Sequence, residues 1–383
     1  MRKVSAIAQA KDQKSAVSAF REGLAKYEGR IACSKAKMQD IYDGATPSAP
    51  YVEYGLTDGK EILKSDWVRN EYQAVLSRDM QDILLNLELL KGFDYVPYIG
   101  PKGIKNSGYI AKLFGSLFTD HGGSGIVMDR YAIQSAEEVD DLVMPNIKKD
   151  PTVQQLCEHV KFLTDALEGA VDLVYPQLQG PATNSFRVID QEEGLMATLT
   201  DPESMRKLGM MVTRTAISVL KELAAAAGSL SLFRPRGRFY QPGNVKGLLV
   251  DDWISTMSPQ SYYDIYRDSF QMMQEEIGDI FFHTCGPALQ AADILVKLPG
   301  VRMMECAFLD GQTKCVKDLF RMKQKVGGQM VFCSFGLPCG EIVQDEENLT
   351  RDVLIQLSQG GRFAIQAYGS LEYANQLAKK FLA

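Results

Sequence analysis

GLLVDDWISTMSPQSYYDIYRDSFQMMQEEIGDIFFHTCG, running from Gly247 to Gly286, decides the fold. It opens with a short apolar run that stops at two acids, Asp251 and Asp252. Ser258 and Pro259 follow, a hydroxyl suited to cap a helix and a proline suited to its first position. The segment from there to Gly278 is predicted to be helical. A second apolar run, Asp279–Gly286, then ends in His283, Thr284 and Cys285. Strand, helix and strand in this order, with near-continuous apolar strands, predict a parallel βαβ unit.

The same rhythm runs through most of the chain. Strand-like runs stand at 93–100, 123–129, 171–181, 229–235, 247–253, 279–286, 301–308, 329–336 and 361–369. These are nine, and a closed barrel needs eight; GSGIVMD (Gly123–Asp129) is the run expected to be a decoration. Residues 1–90 read as mostly helical, with an extended interruption at Thr46–Gly59 and a helical run over Trp67–Gly92. The expectation is an α/β protein: a (β/α)8 TIM barrel over residues 91–383, with an N-terminal helical extension over residues 1–90 packed on it.

Bulk properties narrow the function classes. The 383 residues are 45% hydrophobic and 23% charged, an ordinary globular composition. The net charge of −6 advertises no basic surface, which speaks against nucleic acid and anionic membranes as partners. The N-terminus keeps charges throughout and reads as an amphipathic helix, not a signal peptide. Seven scattered cysteines make no disulfide framework, so a reducing cytoplasm is the expected location. Nothing in the sequence fixes the oligomeric state.

In a barrel the chemistry sits where strands end. His283 and Cys285, two apart on a strand, point to one face. They are either core residues before a turn or two ligands of a metal site. Zinc takes imidazole nitrogen and thiolate sulfur, and a catalytic zinc has three protein ligands and one open place. Cys333, Glu305 and Cys306 lie at neighbouring strand ends as candidates for the third ligand. Asp251 and Asp252 are candidate catalytic acids, but adjacent strand residues face opposite ways, so only one can reach the mouth and the other caps or pairs with a helix. Tyr368 stands at the last strand end as a further catalytic candidate, and Trp253, Tyr240 and Tyr368 are aromatics that can line the mouth or simply pack. Arg234, Arg236 and Arg238 form either an anion clamp or a solvated loop. His121 and His159 read as structural or exposed, and the glycines after His121 lack the spacing of a phosphate-binding loop.

Read in order, DYVPYIGP (94–101), QLQGPATNSFRV (177–188), DPESM (201–205), VDDWISTMSPQSYYDIYRDSF (250–270) and GDIFFHTCG (278–286) resemble the uroporphyrinogen decarboxylase superfamily. The resemblance extends from about Trp67 to the C-terminus and is strongest to the cobamide-dependent methyltransferase branch, in particular the methylcobamide:coenzyme M type. It implies the (β/α)8 barrel independently. True decarboxylases of the family carry an N-terminal Met-Arg-Gln-Ala-Gly-Arg segment and a Gly-His-Gly turn at the last strand. This chain has neither, which argues against a porphyrinogen substrate.

The branch implies zinc held by His283, Cys285 and a later cysteine, with a methyl group exchanged between a small methylated substrate or thiol and a corrinoid on a partner protein. Relatives place the later cysteine after the last strand, where this chain reads AIQAYGSLEYAN (364–375), so Cys333 is the expected third ligand, with Glu305 and Cys306 as alternatives. Asp251 or Asp252 is then expected to supply a proton or orient substrate. The other readings are a lyase acting on another carboxylated substrate and a non-catalytic binding barrel.

Overall fold

The computed structural model describes residues 6–56, 72–101, 108–120, 126–230, 233–235, 239–310, 315–337 and 349–382. His121, Arg236, Arg238, Cys339 and residues 67–71 lie outside them. The described strands are β1 (Val52–Leu56), β2 (Tyr98–Ile99), β3 (Leu117–Asp120), β4 (Ile126–Arg130), β5 (Asp172–Tyr175), β6 (Phe233–Pro235), β7 (Val245–Val250), β8 (Asp279–Pro287), β9 (Val301–Phe308), β10 (Val331–Leu337) and β11 (Phe363–Gly369).

Six parallel strands form one sheet in the order β1-β11-β10-β9-β8-β7, and three more form β2-β5-β6. Two seams join them. At one, the Asp94 N–H donates to Val52 O (2.8 Å) and the Val52 N–H donates to the Asp94 carboxylate (3.0 Å), bridging β1 to the segment ahead of β2. At the other, Lys246 Nζ donates to Phe233 O (3.0 Å) between β7 and β6. Beyond β5 the chain also reaches β7 directly, the Gly180 N–H donating to Val250 O (2.7 Å). Together these parallel strands, with helices outside them, make the expected α/β barrel.

The wall differs from the expectation in which runs supply it. β1 lies inside the interruption of the N-terminal ninety residues and pairs with β11 from Val52↔Ile365 onward. The run Ser229–Pro235 contributes only three described strand residues, wedged beside β5. The decoration is where it was expected: Ile126–Arg130 pairs antiparallel with Leu117–Asp120, away from the parallel wall.

The helices follow their local signals. Ser258 accepts from the Ser261 N–H (3.1 Å) and caps the helix Pro259–Glu276, with the proline at its first position. Its inner face, Tyr262, Ile265, Tyr266, Phe270 and Met273, is buried. Helices Pro151–Leu167 and Pro202–Ala227 begin the same way, behind Asp150 and Asp201. The helix Tyr72–Leu89 lies within the run read as helical from Trp67. No described helix is long and apolar enough to cross a membrane.

Gly100 shows how tightly β2 meets β5. A Cβ added there would stand 2.5 Å from the Val174 carbonyl oxygen, which is backbone and has nowhere to go. Gly100→Ala is expected to destabilise the fold by about 1–3 kcal/mol, as over-packing does. A urea midpoint equal to wild type would show that the seam yields.

Candidate metal centre

Register builds the site. Residues paired across parallel strands present side chains to the same side. His283 of β8 pairs with Glu305 of β9, and Glu305 pairs with Cys333 of β10, so the three lie in one row. Thr284 pairs with Cys306, and Cys306 with Ser334, in the alternate row facing the opposite side of the sheet. Cys306 is therefore turned away from the His283 face.

Asp252, His283 and Cys285 each offer a ligand atom, and those atoms all lie within 4.8 Å of one another. His283 Nε2 is 3.2 Å from Cys285 Sγ. His283 Nδ1 is 2.7 Å from Glu305 Oε1, so Nδ1 donates to the carboxylate and Nε2 is the ring nitrogen that faces the thiol. Burial works to lower the His283 pKa, but the hydrogen bonds to Cys285 and Glu305 and their charges outweigh it and push it up to about 10. Asp252 Oδ1 accepts from the Cys285 N–H (2.5 Å), tying the end of β8 to the end of β7.

This donor set suits a metal ion. One imidazole nitrogen, one sulfur and one carboxylate converge at the strand ends, and a carboxylate holds the far side of the imidazole, as in many zinc sites. The partly exposed position of Asp252 and Cys285 leaves the mouth side open. Glu305 Oε2 is buried with no hydrogen-bond partner among the described residues, so that carboxylate has one oxygen to spare.

Cys333, expected as the third ligand, is not part of this group. It is fully buried on β10, two strands from β8. Burial, followed by the charges of Glu305 and Glu53, pushes its thiol pKa well up. Asp252 is the third donor beside the pair, a residue expected to act as a catalytic acid.

Asp251 and Asp252 part company, though not by strand alternation: β7 stops at Val250 and Asp252 opens a short helical turn, Asp252–Ser255. Asp251 is fully buried and points at the start of the helix Pro181–Val188. Its carboxylate accepts from the Ala182 N–H (2.9 Å), the Thr183 N–H (2.8 Å), Thr183 Oγ1 (2.7 Å) and Tyr262 Oη (2.9 Å). Burial pushes its pKa up to about 6 against those four bonds, each of which favours the charged form. Asp251 thus ties the end of β7 to the start of that helix.

Tyr368 lies level with Gly55 at the end of β11, three strands from β8, and is not part of the cluster. Trp253 stacks on Phe186 with ring centroids 3.8 Å apart, and Tyr240 packs against Arg234. Asp310 reaches Arg321 at 3.8 Å. Arg187, on the helix Pro181–Val188, is not among the residues expected at the site. Burial pulls its pKa down to about 10, and the charges of Asp252 and Asp251 oppose that. Its signal is the QLQGPATNSFRV stretch (177–188), one of those that carry the family resemblance.

Comparison with known proteins agrees with this architecture. No curated protein matches the chain. Seventeen chains of solved structures match it, among them a methyltransferase from Methanosarcina mazei with TM-score 0.60 and 13% identity, covering 90% of this chain and 97% of that one. At that identity the likeness speaks for the fold. Residues 109–305, slightly more than half of the chain, match the profile of the uroporphyrinogen decarboxylase (URO-D) family, and they carry both the Asp251 helix anchor and the Asp252–His283–Cys285 cluster. The chain belongs to the uroporphyrinogen decarboxylase family.

Proposed function

We propose that this protein is a zinc-dependent methyltransferase that exchanges a methyl group between a small methylated substrate, or a thiol, and a corrinoid carried on a separate protein. The observation that carries the reading is the convergence of Asp252, His283 and Cys285 at the strand ends, with Glu305 behind the imidazole. Family membership and the fold shared with a protein named as a methyltransferase support it.

Asp252, His283 and Cys285 would hold the zinc. Bound there, the ion supplies Lewis acidity to a thiol or to the heteroatom that bears the methyl group. The chain does the rest. Glu305 fixes the imidazole tautomer and orientation. Asp252 holds the backbone of Cys285 in place, so both ligands move together. Thiolate and carboxylate bring two negative charges and the neutral imidazole none, which balances a divalent ion. Asp251 keeps the β7 end rigid, and Arg187 tempers the negative charge gathered there.

Protein purified from zinc-supplemented medium is expected to hold about one zinc per chain by elemental analysis. Incubated with cob(I)alamin and a panel of methylated thiols, amines and ethers, it is expected to convert the cob(I)alamin to methylcobalamin with one class of donor. A zinc content far below one per chain would remove the metal from the reading. Full zinc with no methyl transfer to or from cobalamin across the panel would remove the activity.

A further inference from the structure

The helix Gln191–Thr200 carries its large apolar residues on the outside. Leu195, Met196 and Leu199 are 40%, 56% and 73% exposed, while Gly194, Ala197 and Thr198 make its inner face. A surface helix ordinarily shows the reverse arrangement. The short helix Ala136–Asp141 packs against it, and just past that helix Val143 is 82% exposed, with Met144 exposed beside it. Five of the eleven large apolar side chains exposed among the described residues lie on these two elements. Exposed apolar residues gathered in this way mark a contact surface, where scattered ones do not.

The surroundings are acidic. Residues 131–147 and 188–205 hold nine Asp and Glu and no Lys or Arg. Lys207 and Arg206 answer two of the nine, Asp140 and Glu203. Glu192 and Glu193 are exposed and meet no cation among the described residues. Glu192 stands three and four residues ahead of Leu195 and Met196, on the same face of the helix. The helix begins shortly after Pro181–Val188, whose start Asp251 ties to the end of β7, so this surface flanks the barrel on the side of the metal centre. A second copy of the chain, docked about a two-fold axis, would set this acidic surface against itself, like charge on like. The complementary occupant has an apolar stripe bordered by Lys and Arg. A helix laid on this helix buries such a stripe and brings its flanking cations to the acids.

We propose that the outer face of Gln191–Thr200 docks a basic amphipathic helix of a partner protein, its apolar stripe on Leu195, Met196 and Leu199 and its cations against Glu192 and Glu193. The surface carries none of the metal donors, so it stands whether or not zinc binds.

The probe is a fluorescently labelled helical peptide of about 14 residues, built of Leu and Lys with its leucines three and four apart. Anisotropy titration with the full chain at physiological salt is expected to show saturable one-to-one binding with a Kd on the order of 10 μM. The double variant Leu195→Ser with Leu199→Ser is expected to weaken binding at least ~10-fold, and because both side chains are exposed the fold should survive it. Glu192→Lys with Glu193→Lys is expected to weaken it roughly 10-fold and to flatten its salt dependence. No saturable binding by wild type overturns the proposal. So does unchanged affinity in the leucine variant, since net charge alone would then hold the peptide elsewhere. Sedimentation of the chain without peptide tests the other occupant: a wild-type dimer that the leucine variant splits into monomers overturns the assignment to a partner helix. Should the leucine variant fail to fold, the glutamate variant decides: unchanged affinity overturns the surface, and weakened affinity supports it.

Discussion

Asp251→Asn is expected to destabilise the protein by about 3–5 kcal/mol, nearly as much as Asp251→Ala, although it changes one atom. The reason is the arrangement of donors. The Ala182 N–H points at Oδ2 and the Thr183 N–H at Oδ1, so each carboxylate oxygen faces a backbone donor that cannot rotate away. An amide has one oxygen and one NH2. Whichever way it flips, its NH2 meets a backbone N–H head-on in a fully buried site. The two hydroxyls, Thr183 Oγ1 and Tyr262 Oη, can turn and soften the loss but not remove it. Denaturant unfolding monitored by circular dichroism measures this. If the variant lies within 1 kcal/mol of wild type, the helix start is held by something other than Asp251.

The second large effect concerns the metal. His283→Ala is expected to reduce bound zinc from about one per chain to near zero and to abolish methyl transfer, since it removes the imidazole, the buried donor of the three. Glu305→Gln is the finer instrument. It keeps the shape of the side chain but replaces the carboxylate that accepts from Nδ1, and a loss of zinc affinity of about 10–100-fold is expected. Asp252→Asn should also lose zinc, whereas Cys333→Ala should keep it, because the Cys333 thiol stands outside the cluster. Competition with a chromogenic chelator reads all four. Zinc retained in Asp252→Asn and lost in Cys333→Ala would restore the cysteine as third ligand.

These predictions mark how far the sequence could be read. The parallel wall was legible because each strand carries its own apolar run and each helix its own cap, as at Ser258 and Asp150. That His283 and Cys285 share a face followed from strand period alone. That Asp252 stands beside the pair did not follow, because Asp252 and Cys285 are brought together by pairing β7 with β8, and nothing near either residue encodes that distance. Likewise, strand period could not place Asp251 and Asp252, because β7 stops at Val250 and Asp252 opens a helical turn; the helix start at Ala182 and Thr183 is what holds Asp251. β1 escaped as a barrel strand because it is short, has a buried glutamate at its second position and owes its place to a partner more than three hundred residues away. The aromatics were the least legible: Tyr240 and Trp253 are chemically suited to a pocket rim, yet one packs against Arg234 and the other on Phe186.

That distant pairing of β1 with β11 has a consequence in time. A ribosome making this chain releases Val52 more than three hundred residues before Ile365, and Val52 cannot find its partner until then. Strands β7 to β10 pair mainly with near neighbours in sequence and can zip up while synthesis continues. β1 must wait, with an unpaired edge, and its docking is expected to be the slow last step of folding. The same edge is where a chaperone would find the nascent protein, and where a truncated product would stick to others of its kind.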